Sequence, residues 1–171
     1  MRHVTEFTQL DCEMSFIDSE EDILKIEEKL LKYVLDYVRT NCKEELVLLE
    51  KEIVNLKLPL PRVSHEQAIK LLQSAGVKVK QGEDIGTTEE KILGAEVEKK
   101  YKSKAFFLTK FPWNLDVCKF YWMRDGNYGR GADFEFMGQE LTTASQREHR
   151  YDVLVKQICD KGYSPKNFKS Y

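Results

Sequence analysis

RHVTEFTQLDCEMSF, residues 2–16 of a 171-residue chain, alternates in character along its length. Val4, Leu10, Cys12, Met14 and Phe16 occupy even positions and are apolar. His3, Thr5, Phe7, Gln9, Asp11 and Glu13 occupy odd positions and are polar apart from one aromatic. A period of two places these sets on opposite faces of a strand, so the stretch is predicted to be a β-strand with one buried face. Periodicity leaves two readings of the other face. It is either a solvated surface, the commoner case for alternating strands, or the wall of a site carrying a His, two acids, a Gln and a Phe.

Beyond this strand the chain turns helical. Ser19-Glu20-Glu21-Asp22 is a helix start, with an N-capping serine and acids suited to the positive end of the dipole. Ile23, Ile26, Leu30, Leu31, Val34 and Val38 follow at helical spacing, and a second helical segment is expected over Lys43–Leu56. Leu58-Pro59-Leu60-Pro61 breaks the pattern. Ser64-His65-Glu66-Gln67 has the form of a capping box, opening a helix that ends at Gly76. His65 reads as structural or solvated. A loop, Gly82–Gly86, precedes a helix opened by a second capping box, Thr87 with Glu90, and running to about Tyr101.

Strands are then predicted over Ala105–Phe111, Lys119–Arg124 and Ala132–Met137, with a hairpin turn at Asp125–Gly129 and a continuation over Gln139–Thr142. Tyr151–Lys161 is a helix closed by Gly162, and Ser164-Pro165 begins another. Hairpin signals rather than βαβ units make this an α+β fold with an antiparallel sheet flanked by helices.

The second chemically dense stretch is Asp133–Arg150, DFEFMGQELTTASQREHR. Asp133 and Glu140 are seven apart and would lie on opposite faces of an unbroken strand. A bulge at Gly138 is expected to bring them together. Two carboxylates beside Arg147 suit a hard divalent cation and an anionic substrate; solvated surface charges are the other reading.

Composition bounds these readings. Hydrophobic residues are 42 % and charged residues 33 %, with a net charge of −2, which fits a single globular domain without a global basic field. The four cysteines include no CxxC pair, so reduced thiols are expected, in a cytoplasmic protein without a leader or an 18-residue apolar run. No glycine-rich phosphate loop is present, and no Ser or Cys nucleophile beside a base, so any nucleotide must be held by side chains on strands.

RHVTEF followed by TQLDCEM resembles the second half of motif 2 of class II aminoacyl-tRNA synthetases, above all the archaeal and eukaryotic aspartyl enzymes. Further elements continue the resemblance in order. Asp84-Ile85-Gly86-Thr87 with Glu90 and Leu93-Gly94 is similar to one family segment. Phe111-Pro112 and Phe120-Tyr121-Trp122-Met123 match another. Asp133, Gly138, Glu140, Leu141, Gln146 and Arg147 match a third.

The resemblance implies ATP-dependent activation of aspartate, with Mg2+, and transfer to tRNA by a homodimeric cytoplasmic enzyme. It implies ATP contacts from Arg2, His3, Glu6 and Phe7, the last stacking on adenine. Asp133 and Glu140 would hold magnesium. Asp11, Thr143 and Arg147 would face the substrate amino acid, with Arg147 pairing its carboxylate and, with Glu140, counting as catalytic.

Residues 1–171 are expected to form part of a catalytic domain, from the second half of motif 2 to just before motif 3. Motif 1, the first half of motif 2 and the anticodon-binding barrel would then lie outside the chain. Thr143-Ala144-Ser145-Gln146-Arg147-Glu148 leans toward the asparaginyl enzymes, whereas Asp11 leans toward the aspartyl ones. An asparaginyl-tRNA synthetase, a tRNA-independent asparagine synthetase paralogue and a non-catalytic synthetase-like binding module are the alternatives.

Overall fold

The strand β4 (Tyr128–Phe136) sits inside a five-stranded sheet, and the computed structural model describes residues 5–168. On one side β4 pairs antiparallel with β2 (Ala105–Pro112). On the other it pairs antiparallel with the short β3 (Arg124–Asp125) and with β5 (Gln139–Ser145). β1 (Arg62–Ser64) adds to the far side of β2 in parallel, the one departure from an otherwise antiparallel sheet. The α+β expectation holds.

The sequence of β2 explains why helices cover both faces. Ala105-Phe106-Phe107-Leu108 is an unbroken apolar run, which demands burial on two sides. Phe106 and Leu108 point into a core built with Ala68 and Leu72 of α3 (His65–Ser74) and Leu93 and Val97 of α4 (Thr87–Tyr101). Ala105 and Phe107 point the other way, into a core with Ala132, Phe134 and Leu24 of α1 (Glu21–Asn41). Phe107 and Phe134 stack at 4.4 Å between centroids.

α1 is locked to the sheet edge by charge as well as packing. Buried Glu28 accepts hydrogen bonds from the Leu60 amide at 3.0 Å and from Arg62 at 2.6 Å. Arg62 also pairs with Glu21 at 3.1 Å and lies over the Phe107 ring. These bonds meet the carboxylate's demand for partners that burial creates.

Several predicted elements are found. The capping box Ser64–Gln67 forms in both directions. Gly76 and Gly162 take positive φ after their helices. Tyr151–Asp160 is helical (α5), and Pro165–Phe168 is a short 3-10 turn.

Others are corrected. The opening stretch is not a buried strand: residues 5–16 make no ladder with any described strand, and Phe7 and Leu10 are 72 % and 71 % exposed. Alternation assigns faces, but a strand also needs a partner backbone to satisfy its amides. The second helix, α2 (Lys43–Leu48), stops at Leu48 instead of Leu56, and Leu56 instead reaches the core from extended chain. Gly86, not Thr87, occupies the N-cap position of α4. Of Lys119–Arg124 only Arg124 joins a strand; Trp122 follows a turn and makes a single bridge to Arg147.

Candidate active site

Asp133 and Glu140 do converge, by a route the sequence did not predict. Met137 and Gly138 both have positive φ, 55° and 75°, and form the two-residue turn of the β4–β5 hairpin. Gly138 is therefore a hairpin turn and not a bulge. The bulge lies further on. Glu135 pairs with Glu140, but Phe134 pairs with Thr142, which leaves Leu141 as an extra residue in β5. That insertion places Thr143, not Thr142, on the face of Asp133. Thr142 points to the opposite face and donates to Glu27 of α1 at 2.7 Å.

The Thr143 hydroxyl lies 3.0 Å from Asp133 Oδ1 and 2.9 Å from Glu140 Oε1. One hydroxyl carries one proton and can donate to only one of these carboxylates. The second contact becomes a hydrogen bond when Asp133 is itself protonated. Burial, and then the Glu140 charge, raise the Asp133 pKa to about 7, with Asp84 and Glu90 adding to the rise and the Thr143 hydrogen bond opposing it.

A divalent cation can serve where that proton does. Two carboxylates and a hydroxyl suit Mg2+, which takes one or two protein carboxylates and completes its shell with water and phosphate oxygens. Among the described residues no cluster of three His, Cys, Asp or Glu side chains forms a closed metal cage.

The hairpin is held by α4 through backbone contact. A Cβ built on Gly94 would lie 2.8 Å from Gly138 Cα, and one on Gly138 would lie 3.0 Å from Lys91 Cα. This close approach brings the first half of α4, with Glu90, to the turn.

Arg147 lies just past β5, with Trp122 as its bridge partner. Its guanidinium stands 5.5 Å from the Tyr121 ring centroid and pairs with Glu13. Glu6, Phe7 and Asp11 are exposed on the unpaired opening stretch and are not gathered around the carboxylates by any described contact. Arg2 and His3 lie outside the described residues. Glu13, Tyr121, Asp84 and Glu90 were not among the residues assigned to ATP, substrate or cation. Glu13 shares the odd face of the opening stretch with Asp11, which was the available signal.

The family described as "tRNA synthetases class II (D, K and N)" matches residues 1–171. The chain belongs to that family. An aspartate–tRNA(Asp/Asn) ligase of Methanopyrus kandleri is 40 % identical to this synthetase chain, over 99 % of the chain and 38 % of the relative. An aspartate–tRNA(Asp) ligase of Pyrococcus abyssi is 37 % identical and an asparagine–tRNA ligase of the same organism 35 %, each over 99 % of the chain and 39 % of the relative. Among solved structures, the aspartyl-tRNA synthetase of Entamoeba histolytica superposes with a TM-score of 0.82 at 28 % identity, covering 92 % of the chain and 33 % of that structure. The asparaginyl-tRNA synthetase of Pyrococcus horikoshii gives 0.77 at 30 % identity, covering 90 % and 37 %. The synthetase chain thus spans 38 % to 39 % of the length of these curated relatives. Among its described residues no helix is long and apolar enough to cross a membrane.

Proposed function

We propose that this chain is the part of an aspartate–tRNA ligase catalytic domain between the second half of motif 2 and the start of motif 3. The observation that carries the reading is the meeting of Asp133, Thr143 and Glu140 on one face of the hairpin in a chain 40 % identical to an aspartate ligase. The holoenzyme would be homodimeric and cytoplasmic, and would charge the acceptor end of a tRNA.

In this reading Asp133 and Glu140 would hold Mg2+, and Thr143 orients both carboxylates. Bound Mg2+ supplies neutralisation of the phosphate charge. Arg2, His3 and Glu6 contact the nucleotide, and Phe7 stacks on adenine. Asp11 borders the amino-acid pocket. Arg147 receives the substrate's side-chain carboxylate. A guanidinium has five donors, so Arg147 can keep Glu13 and still bind a second carboxylate.

These residues set the α-carboxylate of aspartate in line with the α-phosphorus. Its oxygen forms the new P–O bond as the bond to pyrophosphate breaks, giving aspartyl-adenylate. Positioning and charge placement lower the barrier, without a covalent enzyme intermediate.

A second reading, asparagine as substrate, is favoured by the order Ser145-Gln146-Arg147-Glu148 and by the 35 % identity to an asparagine ligase. The test of Arg147 is aspartate-dependent ATP–pyrophosphate exchange by the full-length gene product. Arg147→Ala is expected to abolish exchange; wild-type exchange would remove Arg147 from the pocket.

A further inference from the structure

Trp122 is the bridge partner of Arg147 and is 2 % exposed. The pairing is antiparallel and is closed on both sides. The Met123 amide donates to the Gln146 carbonyl at 2.7 Å, and the Glu148 amide to the Tyr121 carbonyl at 2.8 Å. Trp122 and Arg147 therefore face each other as a non-hydrogen-bonded pair, the closer of the two antiparallel spacings. The neighbouring Tyr121 ring lies 5.5 Å from the Arg147 guanidinium. A shift of residues 121–123 carries the Arg147 backbone with it.

Trp122 in turn is seated on β4. A Cβ built on Gly131 would lie 2.7 Å from Trp122 Cη2 and 2.8 Å from Cε3, and closer still to Cζ3. One built on Gly129 would lie 3.0 Å from Trp122 Cε3 and 2.8 Å from Cys118 Sγ. Neither glycine has a positive φ, so the approach of these side chains, and not backbone conformation, calls for them. Other ties hold the main chain here. Gln157 of α5 donates to the Phe120 and Trp122 carbonyls at 2.7 and 3.0 Å, and the Arg130 amide to the Met123 carbonyl at 2.8 Å. Two residues beyond Gly131, on the same face of β4, is Asp133.

We infer that Trp122 is a positioning residue for Arg147: its indole, laid on Gly131, sets where the Arg147 guanidinium meets the side-chain carboxylate of the substrate. The indole itself touches no substrate. This rests on the proposed role of Arg147.

The test is ATP–pyrophosphate exchange by the full-length gene product, with the KM for aspartate and the KM for ATP measured separately. Gly131→Ala puts a methyl group into the indole and is expected to raise the aspartate KM about tenfold or more, since small misplacements of a binding group are costly. The ATP KM should stay within about twofold, whereas a general disturbance of β4 would reach Asp133 and raise both. Trp122→Phe lacks the outer indole edge, Cζ3 and Cη2, and should raise the aspartate KM about three- to tenfold. That missing edge leaves room for the new methyl group, so the double variant should have an aspartate KM no higher than Trp122→Phe. Val97→Ala, a truncation in the same core, should lower the urea midpoint and leave both KM values at wild type.

A wild-type aspartate KM in both single variants, parallel rises in the two KM values, a double variant raised by the product of the single effects, or an equal rise in Val97→Ala overturns the inference. Arg147→Ala separates the levels. If it abolishes exchange while the Trp122 and Gly131 variants behave as wild type, the positioning role alone fails. If it exchanges like wild type, or the wild-type enzyme activates no aspartate, the role of Arg147 fails and the inference with it.

Discussion

Gly94 of α4 and Gly138 of the β4–β5 turn meet backbone to backbone: a Cβ on Gly94 would stand 2.8 Å from Gly138 Cα and 2.9 Å from its nitrogen. Neither obstacle is a flexible side chain that could swing away. Alanine is the better helix former by about 1 kcal/mol, yet Gly94→Ala must push α4 off the hairpin. The expected net result is a loss of roughly 1–3 kcal/mol in stability, read by denaturant unfolding. A more stable variant would contradict the close packing.

The pH dependence of stability should run against the usual sense for a carboxylate. Asp133 has an ordinary value of 3.8 and is raised to about 7 in the fold. Between these values the folded chain holds a proton that the unfolded chain has released. Stability therefore falls as pH rises through this window. In urea without divalent cation, Asp133 should raise the wild-type midpoint at pH 5 relative to pH 7.5, against the opposite contribution of buried His65, whose pKa is pushed down. Asp133→Asn should flatten this difference, and saturating Mg2+ should reduce it. An unchanged slope in Asp133→Asn would assign the effect elsewhere.

The two adjacent threonines of β5 should separate cleanly. Thr143 bonds to both site carboxylates, whereas Thr142 bonds to Glu27 on the other face. Thr143→Val is expected to weaken Mg2+ dependence of the exchange reaction about tenfold or more, the scale of outer-group effects at metal sites. Thr142→Val should leave that dependence unchanged. Equal effects of the two would mean that the bulge at Leu141 does not select the site face.

This pair also marks how far the sequence could be read. The α+β class, the Ser64 capping box and the meeting of Asp133 with Glu140 were legible, because they follow from local patterns and turn residues. The mechanism of that meeting was not. A strand pattern carries no mark of an extra residue at Leu141, since a bulge is defined only against the partner's register. The opening stretch failed for a related reason. Its alternation reads as a strand, but pairing is a property of two segments, and residues 5–16 have no described ladder partner. His65 read as structural or solvated, and it is structural: it is buried, with its Nε2 on the Glu83 carbonyl 18 residues away.

Glu28 gives a prediction about the scaffold. It is 4 % exposed and holds both Arg62 and the Leu60 amide. Glu28→Ala leaves the buried Leu60 amide without its acceptor and Arg62 with Glu21 as its remaining carboxylate, and is expected to cost about 1–3 kcal/mol. Glu66→Ala, which breaks an exposed pair with Lys70, should leave the unfolding midpoint where it was. Comparable losses from both would show that burial does not set the value of the Arg62 pair.

ATP–pyrophosphate exchange with the full-length product of this gene, run with aspartate, with asparagine and with neither, decides whether the proposed activity is present. Mg2+-dependent exchange is expected with aspartate and only background with asparagine. Exchange with asparagine alone would contradict the aspartate assignment, and exchange with neither would contradict the proposed activity itself.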